Sequence, residues 1–441
     1  MSLLSLLFAS LSLFSYTANA VPITVHPGGV QDLIVTHNNT INATNSAFAV
    51  KPDSQPASYL NLALLNYMDS NNVKSYITGL NANNQLVFLG PNGQFYYPST
   101  TSGTPVPLSD SDIAIPLGGK GSTTSATIPG YLSASRVWFS DGPLQFFVVG
   151  TPNGPGLVEP AAVNPNDPNA ATNYGFAELT WNSANIFADI SFVDFVGLPL
   201  GIRLTTNDGT AQQEAQGLPS NAVQLVCSDL QKQHSSDGMP WDQECVYSSN
   251  GQLIRVLAPI DYLSQNSNAW SGYFDNYIRE VYQQYSSSPL TIDTQAAAGN
   301  VNCYADMGSM TLHCDGDNRG YPAPSAADIF GCNSGPFGFQ SGDNDVHYAI
   351  VPRLCAAFNR GTLLNGGGNI QPSAAPNTYY TSSQGVWNHF SQSVHRHESN
   401  GLGYAFSYDD VSPSDAQNVA GVVQSAKPNT LSFLVGGFDL A

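Results

Sequence analysis

The sequence predicts a mainly β protein with an α+β part, and two patterns support this fold class. From Val21 to about Leu204, short aliphatic and aromatic runs alternate with Gly, Pro, Asn and Asp, as in a β-sandwich or barrel. Further on, GYFDNYIREVYQQY repeats its hydrophobic residues at three- and four-residue steps, which indicates an amphipathic helix. Extended segments return near the C-terminus, in GYAFSYDDV and TLSFLVGGF.

The order of these patterns predicts the domain organisation. We expect a β domain over residues 21–204 and an inserted α+β domain over residues 205–395. The extended segments in about 396–441 would return to the β domain. No internal repeat interrupts this order.

Local signals predict the individual elements. QLVFLGPNGQFYYP, SRVWFSDGPLQFFVV and ECVYSSNGQLIRVL carry the Asn-Gly or Asp-Gly pairs of tight hairpins. Residues 150–173, rich in Pro and Asn, predict a long surface loop. Two further helices are expected in VPRLCAAFNRGTLL, with Pro352 in the first turn, and in GVWNHFSQSVHRHE.

The N-terminus and the cysteines predict an exported protein. Residues 1–20 form an apolar run that ends in Ala-Asn-Ala, the pattern of a secretory signal peptide, so we expect secretion to the extracellular space. Six cysteines then indicate three disulfides. Short loops favour one of the 15 possible pairings, Cys227/Cys245, Cys303/Cys314 and Cys332/Cys355. Asn38 and Asn42 begin glycosylation sequons.

Charge and composition limit the partners. Thirteen basic residues against 32 acidic ones give a net charge of −19, which disfavours nucleic acid and anionic membranes and favours a neutral partner. The 42% of hydrophobic residues disfavours overall disorder. His395-Arg396-His397 lacks metal-ligand spacing on a helix, and CDGDNRG lacks the twelfth-position Glu of a calcium loop, so no metal or cofactor is expected.

Three carboxylates stand in FAELTWNSANIFADISFVDFVGLPL, residues 176–200, although only 10% of the chain is charged. Strand alternation places Glu178, Thr180 and Asn182 on one face, opposite the apolar Ala177, Leu179 and Trp181. A carboxylate beside a hydroxyl and an amide suits a groove for a hydroxyl-rich ligand. The alternative is an amphipathic strand that faces water.

Asp194 has apolar neighbours on its own face and therefore needs a partner, such as Arg203. Paired carboxylates without a nucleophile motif point to glycoside hydrolysis, with separations of about 5–5.5 Å for retention and about 6.5–9.5 Å for inversion. A tight hairpin turn at 182–185 would set Asp189 opposite Glu178, and Asp194 on the order of 16 Å further along. Local geometry therefore favours Asp189 as the partner of Glu178.

The motifs FAELTWN, FVDFVGLPLGIRL, APIDYLSQNSNAWSGYFDNYI and GYAFSYDDV, in this order, resemble glycoside hydrolase family 64. These are β-1,3-glucanases with a thaumatin-like β-sandwich or barrel domain, an inserted α/β domain and a wide groove between them. The resemblance runs from about Val21 to the C-terminus. It implies that Glu178 is the general acid and Asp194 the general base of an inverting reaction, and that Thr180 and Asn182 line the glucan groove.

The resemblance implies a secreted, endo-acting β-1,3-glucanase. Its partner would be a β-1,3-glucan, laminarin-like or from cell walls, and the chain would act as a monomer without a cofactor. The alternative is a thaumatin-like carbohydrate-binding or defence protein without catalytic activity. Asp409 and Asp410 are predicted to be structural.

Overall fold

The computed structural model describes residues 23–35, 40–41, 59–373, 376–414 and 418–437. The predicted signal peptide and the sequon residues Asn38 and Asn42 lie outside these ranges. No helix in the described part of the chain has the length and apolar character needed to cross a bilayer.

The strands of the described residues form five sheets. In chain order, the first thirteen are β1 (Ile23–Thr24), β2 (Thr40–Ile41), β3 (Leu60–Asn66), β4 (Val73–Asn81), β5 (Leu86–Leu89), β6 (Phe95–Tyr96), β7 (Val106–Pro107), β8 (Ile115–Pro116), β9 (Thr123–Ile128), β10 (Leu132–Asp141), β11 (Phe147–Thr151), β12 (Gly154–Val158) and β13 (Tyr174–Trp181). The others are β14 (Ile186–Ile190), β15 (Phe195–Val196), β16 (Leu200–Thr206), β17 (Gln213–Ala215), β18 (Cys245–Tyr247), β19 (Leu253–Leu257), β20 (Leu290–Asp293), β21 (Asn300–Asp306), β22 (Thr311–Cys314), β23 (Tyr321–Pro322), β24 (Ile370–Gln371), β25 (Val423–Ser425) and β26 (Pro428–Val435).

Most of the helical structure follows β17. The helices are α1 (Asp110–Ile113), α2 (Ala222–Asp237), α3 (Pro259–Gln265), α4 (Asp275–Tyr285), α5 (Ala326–Gly331), α6 (Asp345–Arg360) and α7 (His389–His397). Strand content exceeds helix content, so the mainly β prediction is confirmed. The thaumatin-like arrangement and the domain boundaries stay predictions.

Two large sheets combine strands from the first half of the chain with the C-terminal strands β25 and β26. One has the strand order β25-β14-β13-β10-β4-β5-β6, and the other β17-β16-β26-β3-β9. They share one hydrophobic core, in which Phe139 of β10 contacts Phe433 of β26 with ring centroids 5.6 Å apart. The late strand β26 lies between β3 and β16, parallel to the first and antiparallel to the second.

Two of the three predicted hairpins are present in the structure. The Asn-Gly hairpin forms between β5 and β6, and ECVYSSNGQLIRVL forms the hairpin of β18 and β19. The Asp-Gly hairpin prediction is wrong, because β10 pairs with β4 and β13 whereas β11 pairs with β7 and β12. Gly142, at φ 97°, turns the chain out of the first sheet. All three predicted disulfides are confirmed.

The predicted surface loop over 150–173 is only partly right. Its first part is the strand β12, and the remainder carries buried polar side chains. Asp167 accepts hydrogen bonds from the backbone of Asn169 and Ala161, while Arg255 donates to the carbonyls of Ala162, Ala170 and Thr172. These bonds satisfy the buried backbone, which allows the segment to pack inside the protein.

The helix predictions for α4, α6 and α7 are confirmed, with one correction. Pro352 lies inside α6 and not in its first turn, because the helix begins at Asp345. Asn344 caps it, accepting a hydrogen bond from the backbone of His347 at 2.9 Å. GYAFSYDDV forms no strand beyond a single bridge between Tyr404 and Ser191.

Candidate active site

A row of polar side chains crosses the larger sheet on one face. The strand register aligns Thr78 of β4 with Arg136 of β10, Arg136 with Glu178 of β13, and Glu178 with Asp189 of β14. Because aligned residues on neighbouring strands point to the same face, the row places one cation beside two carboxyl groups.

The other face of β13 packs into the core, as alternation predicts. Ala177, Leu179 and Trp181 are buried, whereas the Glu178 side chain is 43% exposed. The alternative of a strand facing open water does not describe this face, because Glu178 lines a cavity with Arg136 and Thr180.

Asp194 also contacts Arg136, because the chain leaves the sheet between β14 and Asp194. The turn at residues 182–185 sets Asp189 opposite Glu178, as the hairpin estimate predicts. After Ile190, however, the chain bends and is held by hydrogen bonds from Phe192 N to Tyr404 O and from Ala258 N to Asp194 O. The straight continuation that would carry Asp194 far away is therefore not followed.

Arg136 joins the carboxylates of this site. Its Nη1 lies 2.8 Å from Glu159, its Nε 3.2 Å from Glu178 and its Nη2 3.8 Å from Asp194. Its guanidinium carbon is 4.5 Å from the centre of the Phe176 ring. Burial opposes its charge, but the carboxylates outweigh burial and raise the pKa of Arg136 above its ordinary value.

Arg203, the partner suggested for Asp194 from sequence, instead pairs with Glu214 at 3.0 Å. The Asp194 side chain is 40% exposed. Since Glu178 and Asp194 contact different nitrogens of one guanidinium, their nearest oxygens are at most about 9–10 Å apart, given the fixed fork of that group. This upper limit includes the separations of about 6.5–9.5 Å at which one water fits between two carboxyl groups.

Two further carboxyl groups lie beside the pair. Burial, followed by the charges of Glu178 and Asp410, raises the pKa of Asp189 well above its ordinary value. Burial and the charge of Asp194 do the same for Asp261 of α3, against the opposing effect of Arg136. In both groups the surroundings therefore shift the equilibrium towards the neutral carboxyl.

Three adjoining cavities form one groove, and Arg136 lines all of them. Thr180, Asp189 and the 40% exposed Phe187 line the first cavity with Glu178. The central cavity is lined by both Glu178 and Asp194, with Asn333 and Tyr404 on its far wall. The third cavity continues past Asp194 along Asp261, Gln265 and Ala162.

Of the two predicted binding residues, the structure places one in the lining of this groove and the other in the adjoining hairpin turn. Thr180 lines the groove beside Phe187, its cross-strand partner. Asn182 closes the hairpin, where its Oδ1 accepts hydrogen bonds from the backbone of Ala184 and Asn185. Asn182 is not among the residues that line the first cavity.

A buried network of ion pairs lies next to Tyr404 on the far wall of the groove. Asp409 accepts a hydrogen bond from Arg360 at 2.9 Å and lies 2.8 Å from His395 Nε2, and Glu398 lies 2.9 Å from His395 Nδ1. Burial disfavours the imidazolium, but Asp409 and Glu398 raise the pKa of His395 to about 10. The neighbouring Tyr404 hydroxyl donates to Asp410 at 2.8 Å.

Other residues of the two candidate metal motifs, His395-Arg396-His397 and CDGDNRG, form ion pairs and hydrogen bonds with other side chains. His397 contacts Asp229 at 2.9 Å, away from the partners of His395. Asp317 of CDGDNRG accepts a hydrogen bond from Tyr321 and lies 3.1 Å from the buried His347. In the described ranges, no group of three or more His, Cys, Asp or Glu side chains is arranged to hold a metal ion.

Sequence analysis missed much of this groove, including Arg136, Glu159, Asp261 and Asn333. These residues come from distant segments. Asp261 lies in the motif APIDYLSQNSNAWSGYFDNYI but received no role there, and no local pattern marks the other three. Phe187 had a signal, because it alternates with Asp189 in a hairpin that places it directly opposite Thr180.

A mainly β fold with carboxyl groups along an open groove has the character of a polysaccharide-degrading protein. The family model described as β-1,3-glucanase, that of glycoside hydrolase family 64, matches residues 58–435. The chain therefore belongs to glycoside hydrolase family 64, and the resemblance seen in the sequence is confirmed.

Individual relatives agree with this family. The chain is 23% identical over 282 residues to the glucan endo-1,3-β-glucosidase of Cellulosimicrobium cellulans, covering 63% of this chain and 48% of that protein. An Arthrobacter protein of the same name is also 23% identical over 282 residues, covering 63% of this chain and 48% of that protein. The chain thus spans about half the length of the curated relatives it matches.

Solved structures match over more of their length. A laminaripentaose-producing β-1,3-glucanase in complex with laminaritetraose is 26% identical with a TM-score of 0.73, covering 86% of this chain and 99% of that one. A β-1,3-glucanase domain from Clostridium beijerinckii shares the fold at 21% identity, with a TM-score of 0.65 and coverages of 87% and 100%.

Proposed function

We propose that this protein is an endo-acting β-1,3-glucanase that hydrolyses its substrate with inversion of configuration. Glu178 acts as the general acid and Asp194 as the general base. The observation that carries the proposal is that both carboxylates open onto one groove and contact the same guanidinium, although the chain between them leaves the sheet.

The two acids divide the reaction between them. Glu178 donates a proton to the glycosidic oxygen of the leaving sugar, and Asp194 removes a proton from the water that attacks the anomeric carbon from the opposite face. Asp189 is poorly suited to the second task, since its raised pKa favours the neutral acid, which cannot accept a proton.

The groove extends on both sides of the acids, which suits cleavage within a chain. Thr180 and the exposed Phe187 offer a hydroxyl and an aromatic face to sugars on one side. Asp261 and Gln265 offer polar groups on the other side. The laminaritetraose bound to the similar structure favours laminarin-like β-1,3-glucan as the substrate.

Other parts of the proposal rest on the sequence and the family. Secretion rests on the apolar first 20 residues, and a thaumatin-like β domain with an inserted α/β domain rests on the family resemblance. We also propose cell-wall glucan as a natural target, a monomeric protein, and Asn182 as a glucan-binding residue together with Thr180.

The test is release of reducing ends from laminarin by the purified chain. Glu178→Gln and Asp194→Asn are each expected to lower the rate by about 10² to 10⁴ while laminarin binding persists. Binding without hydrolysis by the unmodified protein would overturn the proposal and favour a carbohydrate-binding or defence protein without catalytic activity.

A further inference from the structure

Glu159 lies under the groove without a task in the proposed reaction. Its side chain is only 1% exposed, and it follows β12 in the segment that forms the groove floor. It accepts hydrogen bonds from Arg136 Nη1 at 2.8 Å and from the Thr78 hydroxyl at 3.3 Å. A buried carboxylate needs such partners, but its burial beside the two proposed catalytic acids still calls for a reason.

The contacts of Arg136 supply that reason. Glu159 fixes one end of the guanidinium, and the Phe176 ring supports its face. The remaining Nε and Nη2 then point to Glu178 and Asp194. Because the guanidinium is a rigid planar fork, fixing one nitrogen and one face also fixes the directions of the others.

We propose that Glu159 and Arg136 form a positioning pair that sets the separation of the Glu178 and Asp194 carboxyl groups. The proposal rests on the proposed function. In the positioning role, neither Glu159 nor Arg136 contacts the glycosidic bond or the attacking water. Arg136 acts through the two carboxylates it contacts, and Glu159 acts through Arg136.

The pair also balances charge at the site. Glu159 lies 2.8 Å from Nη1 of Arg136 and offsets part of the positive charge of the guanidinium. The charged and titratable groups at the site are Arg136, Glu159, Asp189 and Asp194, with Asp410 beside Asp189 and Asp261 beside Asp194.

The first test compares Glu159→Gln with the unmodified protein on laminarin. The amide keeps the shape but removes the charge, so kcat should fall about 10- to 100-fold with little change in KM, as expected for slightly misplaced reacting groups. The alkaline limb of the pH–rate profile should shift to lower pH, because the variant removes one negative charge from the carboxyl groups that contact Arg136. A change in folding alone would not move that limb.

A second variant and a control keep the test decisive. Arg136→Lys retains the charge without the fork and should also lower kcat, and the double variant with Glu159→Gln should be no worse than the poorer single variant. Glu214→Gln breaks the comparable ion pair with Arg203, outside the residues that line the groove, and should leave kcat, KM and the pH profile unchanged.

The outcomes separate this inference from the proposed function. An active wild-type protein, an inactive Glu178→Gln and a Glu159→Gln with unchanged kcat and pH profile would overturn the positioning pair alone. Additive losses in the double variant would do the same. A wild-type protein that binds but does not cleave laminarin would overturn both. If Glu159→Gln does not fold, Arg136→Lys decides, and a wild-type kcat for it would overturn the pair.

Discussion

Asp189 lies directly opposite Glu178 in the antiparallel pair of β13 and β14, whereas Asp194, sixteen positions beyond Glu178 in the sequence, shares its guanidinium partner. The carboxyl group directly opposite Glu178 on the neighbouring strand therefore belongs to Asp189, whereas the proposed base is Asp194. Burial and neighbouring negative charge favour the neutral form of Asp189. The exposed Asp194 is free to meet a water molecule.

This difference predicts how the two aspartates respond to substitution. Asp194→Asn should reduce laminarin hydrolysis by about 10² to 10⁴, since it removes the base. Asp189→Asn retains a neutral hydrogen-bonding group of the same size and should keep most of the activity. Reducing-end assays at neutral pH measure both. Loss of activity in Asp189→Asn with a normal Asp194→Asn would reverse the assignment.

The stereochemistry of the product tests the geometry of the pair. A water acting between Glu178 and Asp194 should give a first product with the α configuration from a β-glucan. Proton NMR during the first minutes of laminarin hydrolysis distinguishes the anomers before they equilibrate. A first product with the β configuration would require a covalent intermediate and a closer pair of carboxyl groups.

Phe187 should contribute to glucan binding more than to chemistry. Replacing it with Ala removes an aromatic face of the groove beside Thr180, and we expect KM for laminarin to rise several-fold with a smaller change in kcat. The exposed Tyr304 of β21, outside the lining of the groove, provides the control, and Tyr304→Ala should leave KM unchanged. Equal effects of both substitutions would exclude a specific role for Phe187.

The His395 network predicts a loss of stability at alkaline pH. Its folded pKa of about 10 lies above the ordinary value of 6.5, so its stabilisation is complete below about pH 6.5 and declines as the pH rises towards 10. Urea unfolding at pH 6, 8 and 10 should show this decline in the free energy of unfolding. His395→Gln should flatten that part of the profile. The same slope in both proteins would assign the decline to other groups.

The disulfide Cys332–Cys355 should stabilise the wall of the groove near Asn333. It closes a loop with a sequence separation of 23, for which chain entropy predicts about 3 kcal/mol of stabilisation. The double substitution of both cysteines by Ala should lower the free energy of unfolding by a similar amount, as measured by urea titration. As a control, the same double substitution of Cys303 and Cys314, which do not line the groove, should leave KM for laminarin unchanged. Loss of Cys332–Cys355 should raise that KM.

The sequence predicted those features that depend on neighbouring residues. Alternation in β13 separated Glu178 from the buried Leu179, and the spacing of turn residues placed Asp189 opposite Glu178. The helical period located α4, and short-loop pairing identified the disulfides. Each of these predictions uses interactions within a few residues or along one strand pair.

The missed features depend on contacts between distant segments. Arg136 is an ordinary strand residue until β10 aligns with β13, and Glu159 becomes its partner only when the segment after β12 folds beneath it. The route to Asp194 depends on bonds to Tyr404 and Ala258, which no local pattern contains. The helices α2, α3 and α5 were also missed, and their short or weakly periodic sequences explain this.

The position of β26 between β3 and β16 has a consequence for how the protein is made. The second sheet joins strands from opposite ends of the sequence, so β3 and β16 keep open edges throughout synthesis of the intervening chain. Such distant pairing slows folding and exposes strand edges to wrong partners. The ribosome must therefore synthesise every residue up to the end of β26 before this sheet can close, and the facing edges of β3 and β16 stay unpaired until then.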